Sequence, residues 1–84
     1  MGRQEATLQA IFAEPTRANI AWREIESLLA HLGAEVSQGN GSRVRVSLNG
    51  IDATFHRPHP KPQAHKPMVR AVRRFLESAG VGPS

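Results

Sequence analysis

The chain predicts an α+β domain: a three-stranded antiparallel meander covered on one face by helices, in the order α-α-β-β-β-α. Three observations lead there. Apolar residues recur at helical spacing before Gly33 and again after Pro67, while between them the spacing falls to two. Asn49-Gly50 sits midway between two alternating runs, and a tight hairpin turn needs the positive φ that this pair tolerates. Finally, 84 residues bury only about two thirds of their unfolded surface, which suits one domain over residues 1–84 with a modest core. Function is therefore expected on an open face or in a shallow groove.

The first helix is expected over about residues 5–13, with Leu8, Ile11 and Phe12 on one stripe. Pro15 ends it by restricting the residue before it. A second helix, about 22–32, carries Trp22, Ile25, Leu28, Leu29 and Leu32 at helical spacing; all are read as core, and Gly33 terminates it. Strands are expected over about 34–38, 42–48 and 51–56, with Val36, Val44, Val46, Leu48, Ile51, Ala53 and Phe55 facing inward. Four prolines between Pro58 and Pro67 predict an extended, stiff loop. The last helix, about 68–79, follows Pro67 and buries Val69, Val72, Phe75 or Leu76, and Ala79. Arg70, Arg73, Arg74 and Glu77 fall on its outer side, with Arg73 and Glu77 one turn apart, and a frayed tail follows Gly80.

The register follows from the turns. A two-residue turn at Asn49-Gly50 pairs Leu48 with Ile51, Val46 with Ala53 and Val44 with Phe55, so apolar meets apolar throughout. The opposite face then pairs Arg43 with His56, Arg45 with Thr54 and Ser47 with Asp52. A three-residue turn at Gly39–Gly41 would set Val36 against Val44, Glu35 against Arg45 and Ser37 against Arg43.

Composition narrows the function. The absence of cysteine excludes disulfides, thiolate metal sites and cysteine nucleophiles. No apolar run approaches the roughly 18 residues of a membrane span, so no membrane partner is expected. The opening MGRQEATLQA carries charges of both signs and no apolar signal segment, which points to the cytoplasm. Eleven Lys and Arg oppose seven Asp and Glu, and nine of the eleven are arginine, a residue suited to bidentate phosphate contacts. Nucleic acid is thus the leading partner.

Three groups of residues are candidates for chemistry. The Arg43–His56 pair joins an imidazole, which can donate or accept a proton, to a guanidinium, which can hold a phosphate oxygen. RNA cleavage needs a base for the 2′-OH proton, cations for the phosphorane and an acid for the leaving oxygen, with no cofactor or metal. His59, one short loop step away, is the candidate second proton-transfer group. Arg45, Arg57, Lys61, Arg70, Arg73 and Arg74 are read as RNA-binding cations, the last three as a ridge on the final helix. His56, His59 and His65 form a third group, but with no cysteine and only Asp52 nearby they are assigned no metal. The bland alternative is a solvated sheet face.

With these residues in view, the chain resembles the HicA family of small bacterial toxins from about Leu8 to Val81. The resemblance is carried by IFAEPTRANIAWREIESLLAHLGAEV, GNGSRVRV, HRPHP and RRFLESAGV, in that order. It implies a fold like that of a double-stranded-RNA-binding domain, and an mRNA-cleaving ribonuclease neutralised by a HicB-like antitoxin that covers its active face. The family's histidine follows Gly-Ser on the second strand; here Arg43 follows Gly41-Ser42, so no catalytic histidine carries over to that position. His56, directly across from Arg43, is the substitute. The alternative reading is a non-catalytic module that binds RNA or the antitoxin with the same face.

Overall fold

The computed structural model describes residues 2–83; Met1 and Ser84, the ends of the expected domain and tail, lie outside the described residues. Helix α1 spans Arg3–Phe12, a two-residue strand β1 Ile20–Ala21, and helix α2 Trp22–His31. Strands β2 (Glu35–Gln38), β3 (Arg43–Leu48) and β4 (Ile51–His56) form an antiparallel sheet in the order β2-β3-β4. A second two-residue strand, β5 (Gln63–Ala64), precedes helix α3 (Lys66–Ser78). The expected α+β architecture is present: α2 and α3 pack on the sheet, and α1 lies across both helices.

One core joins the layers. Ile11, Trp22, Ile25, Leu28, Leu29, Val44, Val46, Leu48, Phe55, Val69, Val72, Phe75, Leu76 and Ala79 are all buried in it. Phe75 and Leu76 are both buried, so the final helix needs no choice between them. Phe55 sits edge-on between Trp22 and Phe75, with ring centroids 6.2 Å and 5.9 Å away. Such edge contacts add to the burial of area by aligning ring edges with ring faces. Trp22 is core, as its spacing predicts.

Helix α1 begins two residues earlier than expected. Arg3 and Gln4 are good helix formers but contribute no apolar residue to the stripe, so periodicity misses them. Contacts with α2 hold this first turn: the Gln4 amide donates to Ser27 Oγ at 3.1 Å, and Arg3 lies 3.9 Å from Glu24.

The Pro-rich segment, expected as pure loop, contains a β-ladder. Ile20 pairs with Ala64 and Ala21 with Gln63. Proline has no N–H, but its carbonyl still accepts: the Trp22 N–H donates to Pro62 O at 2.9 Å, and the Asn19 N–H to Ala64 O at 2.8 Å. A ladder of two residues has no period to read. The tail is also more ordered than expected, because Val81 donates its N–H to Leu76 O at 2.8 Å and packs part-buried on the core.

The β3–β4 register is the expected one, from Leu48↔Ile51 to Arg43↔His56. Asn49 and Gly50 adopt φ of 51° and 81°, and the Asn49 amide donates to Ala79 O at 2.8 Å, tying the hairpin tip to the end of α3. The β2–β3 register differs from expectation by two residues. Val36 pairs with Val46, Glu35 with Ser47 and Ser37 with Arg45. The reason is the turn: Gly39 belongs to the ladder, donating its N–H to Arg43 O at 2.9 Å, and the loop is Asn40–Ser42. A shift of two preserves which face each residue occupies, so the predicted polar face survives.

Gly39 lets the two strands approach closely. A Cβ there would meet Arg43 Cβ at 3.0 Å, a tight contact that β3 must relieve by shifting a few tenths of an ångström. Gly39→Ala is expected to lower the urea midpoint by the equivalent of about 1 kcal/mol. A wild-type midpoint would show that β3 yields without cost.

Arg73 departs furthest from expectation. It lies inward of the ridge, its side chain 15% exposed and 2.6 Å from Glu14 rather than paired with Glu77. Its Nε donates to Ile11 O at 3.0 Å and a terminal nitrogen to Ala13 O at 2.9 Å. The guanidinium also lies 5.9 Å from the centre of the Phe12 ring. The carbonyls at a helix C-terminus have no partners within the helix, and a planar cation beside them supplies donors. Helical spacing placed Arg73 outside because it could not show that α1 ends there.

Candidate functional site at the open end of the sheet

The geometry of the site follows from hydrogen-bond alternation. The Arg57 N–H donates to Ser42 O at 2.9 Å, which makes 42 and 57 a hydrogen-bonded pair. Alternation then makes 43–56, 45–54 and 47–52 non-hydrogen-bonded pairs, whose Cα atoms stand closer together, at about 4.5 Å. All three pairs point away from the helices. The side chains of Arg43 and His56 are therefore held side by side by the strands themselves, and both are exposed.

Two grooves meet at that pair. One runs over the sheet and is lined by Ser37, Asn40, Arg43, Arg45 and Thr54. The other, of about 540 Å³, lies under the loop after β4 and includes His56, Arg57, His59, Lys61 and His65. That volume falls in the range that admits a small ligand or one nucleotide. The far end of the face is acidic, where Glu35 and Asp52 line a third groove beside Arg45. Positive side chains thus gather at the Arg43–His56 end of the face and carboxylates at the other.

Of the residues expected to act, Arg43 and Arg45 share the sheet groove, while His56, Arg57, His59 and Lys61 share the loop groove. Arg57 is part-buried and has Glu26 at 4.0 Å, which offsets part of its charge. Neither Arg70, Arg73 nor Arg74 lines the loop groove. Arg70 and Arg74 are exposed on α3, and Arg74 borders a separate groove with Ala71 and Phe75 beside β4. Arg73 is committed to α1, which breaks the predicted ridge. His65, weighed from spacing only as part of the histidine group, is the N-cap of α3, and its Nδ1 accepts the Met68 N–H at 3.2 Å. The sequence signal for this capping role was its place two residues before a helix-initiating Pro67.

Among the described residues, no group of three histidines or carboxylates gathers where a metal could be held. No helix of the described chain is long and apolar enough to cross a membrane.

Comparison with curated proteins and with solved structures returns no significant match. A family model does match: the HicA toxin of bacterial toxin–antitoxin pairs, over residues 22–81, well over half of the chain. That span contains the sheet, both grooves and the Arg43–His56 pair. The chain belongs to the HicA toxin family.

Proposed function

We propose that this toxin is a metal-independent endoribonuclease that cleaves mRNA at the Arg43–His56 end of its open sheet face. The observation that carries this reading is the non-hydrogen-bonded pairing of an imidazole with a guanidinium at the cationic end of the sheet face. His56 takes the 2′-OH proton as O2′ attacks phosphorus; the P–O5′ bond breaks, and His59 returns a proton to the leaving O5′. Arg43 holds a non-bridging oxygen as charge builds on it. Arg45, Arg57 and Lys61 hold neighbouring phosphates, and Arg70 and Arg74 extend the attraction along α3. Trp22, Phe55 and Phe75 are buried and Phe12 lies part-buried beside Arg73, so the aromatics supply no platform for base stacking and RNA is held by backbone and shape. The cognate antitoxin, HicB-like, silences the protein by covering this face, and the site of action is the cytoplasm, where mRNA is found.

Antitoxin-free protein incubated with a long single-stranded RNA in excess EDTA tests this directly. Strand scission leaving 2′,3′-cyclic phosphate ends is expected, together with growth arrest on expression and its relief by the antitoxin. A folded protein that leaves the RNA intact overturns cleavage.

A second reading has one observation in its favour: Arg43 occupies the slot where the family's pattern has histidine. A module that binds RNA or antitoxin without cutting would then show salt-dependent RNA affinity and no scission.

A further inference from the structure

Three histidines line the loop groove, each from a different segment: His56 ends β4, His59 lies in the Pro-rich loop, and His65 opens α3. They differ in how the protein holds them. The His65 ring is tied to the backbone, because its Nδ1 accepts the Met68 N–H at 3.2 Å. A nitrogen that accepts a hydrogen bond carries no proton, so the ring hydrogen resides on Nε2. The two nitrogens face different sides of the ring. Anchoring Nδ1 to the helix therefore turns the Nε2–H outward, and His65 is exposed at the groove. The backbone of α3 fixes the direction of this donor before any ligand arrives, which reduces the entropy lost when a ligand accepts from it.

The surroundings select the kind of acceptor. The groove is lined by Arg57, Lys61, Ser42 and Gln63 as further donors; no aspartate or glutamate lines it, and the Glu26 carboxylate stands behind Arg57 at 4.0 Å. An anion entering it meets donors from several directions. Beside a base and a phosphate clamp at Arg43–His56, the fitting anion is the next phosphate of the same RNA strand.

We propose that His65 is a phosphate-positioning residue, a hydrogen-bond donor through Nε2–H that seats the RNA backbone in the loop groove. This rests on the reading that RNA occupies this face. It adds a residue with a role distinct from the cations: direction without net charge.

Two substitutions separate donor from cap. In His65→Asn, Oδ1 stands where Nδ1 stood and keeps the Met68 bond, but nothing reaches the position of Nε2. In His65→Gln, the amide nitrogen reaches that position and the cap is lost. The probe is a uniformly 2′-O-methylated single-stranded RNA, which cannot be cleaved through its 2′ oxygen, with affinity read by fluorescence anisotropy. His65→Asn is expected to bind about tenfold more weakly, the worth of one hydrogen bond to a charged group, at an unchanged Tm. His65→Gln is expected to keep most of the affinity while melting roughly 4–8 °C lower. The opposite order, with Asn binding like the parent, leaves His65 as a helix cap only and overturns the proposal.

Salt provides a second readout. On a single strand, each phosphate neutralised by a cation adds about 0.7 to the steepness of log affinity against log salt. Lys61→Ala should lose that increment, whereas His65→Asn should keep the parental slope. A slope reduced by that increment in His65→Asn would mark a cation and overturn the donor role. A parent that binds no RNA refutes the proposed function itself, whereas a parent that binds and a His65→Asn variant that binds equally well refute only this assignment.

Discussion

His56→Ala lowers the single-turnover rate of RNA cleavage by a factor of about 10²–10⁴, the usual contribution of a positioned general base or acid. The imidazole is exposed at the end of β4 and takes no part in the core, so the substitution leaves stability within roughly 0.5 kcal/mol of the parent. Loss of rate without loss of fold is the signature to look for, with circular dichroism and Tm measured on the same preparation. Arg43→Ala should fall in the same direction by about 10²–10³, because it removes a donor aimed at the developing charge. Since the two side chains act on one phosphate, the double variant should lose far less than the product of the two factors. Equal rates for parent and His56→Ala would remove His56 from the mechanism and pass the base to His59.

Arg73→Ala is expected to cost stability rather than activity, on the order of 2–4 kcal/mol in urea unfolding. The side chain is 15% exposed and its donors serve Ile11 O, Ala13 O and Glu14. Without it, two carbonyls at the end of α1 lose their partner in a shielded place. Most of the effect should come from those carbonyls. Glu14 is 73% exposed, so Glu14→Ala should cost at most about 0.5 kcal/mol. Arg73→Lys should not restore stability, because one ammonium cannot reach in the three directions of a guanidinium fork. If Arg73→Ala instead melts like the parent and binds RNA more weakly, the arginine serves phosphate and the clasp is incidental.

How much of this was legible in the sequence depends on the range of each signal. The β3–β4 register, and with it the Arg43–His56 pair, was readable because Asn49-Gly50 fixes a two-residue turn and alternation does the rest. The β2–β3 register was not: a Gly-Asn-Gly stretch permits more than one three-residue loop, and the choice depends on Gly39 meeting Arg43 across the ladder. The face survived that error because a slip of two keeps parity. Arg73 and His65 were misread or missed for a shared reason. Both roles are set by backbone groups distant in space or at a helix end, and no periodicity carries that information. The pairing of β1 with β5 joins residues more than forty positions apart through a ladder too short to have a pattern.

That small ladder has a consequence for where the molecule can be cut. The family match begins at Trp22, so α1 and β1 both precede it. Yet β1 is the partner of β5, at the end of the loop that carries His59 and Lys61, and Ile11 of α1 is fully buried in the common core. The span that identifies the family and the unit that packs around one core are therefore different objects. A chain trimmed to the matched span would keep every residue of the proposed chemistry and lose the strand that anchors their loop. For grafting, trimming or swapping this toxin, the working boundary lies ahead of Arg3.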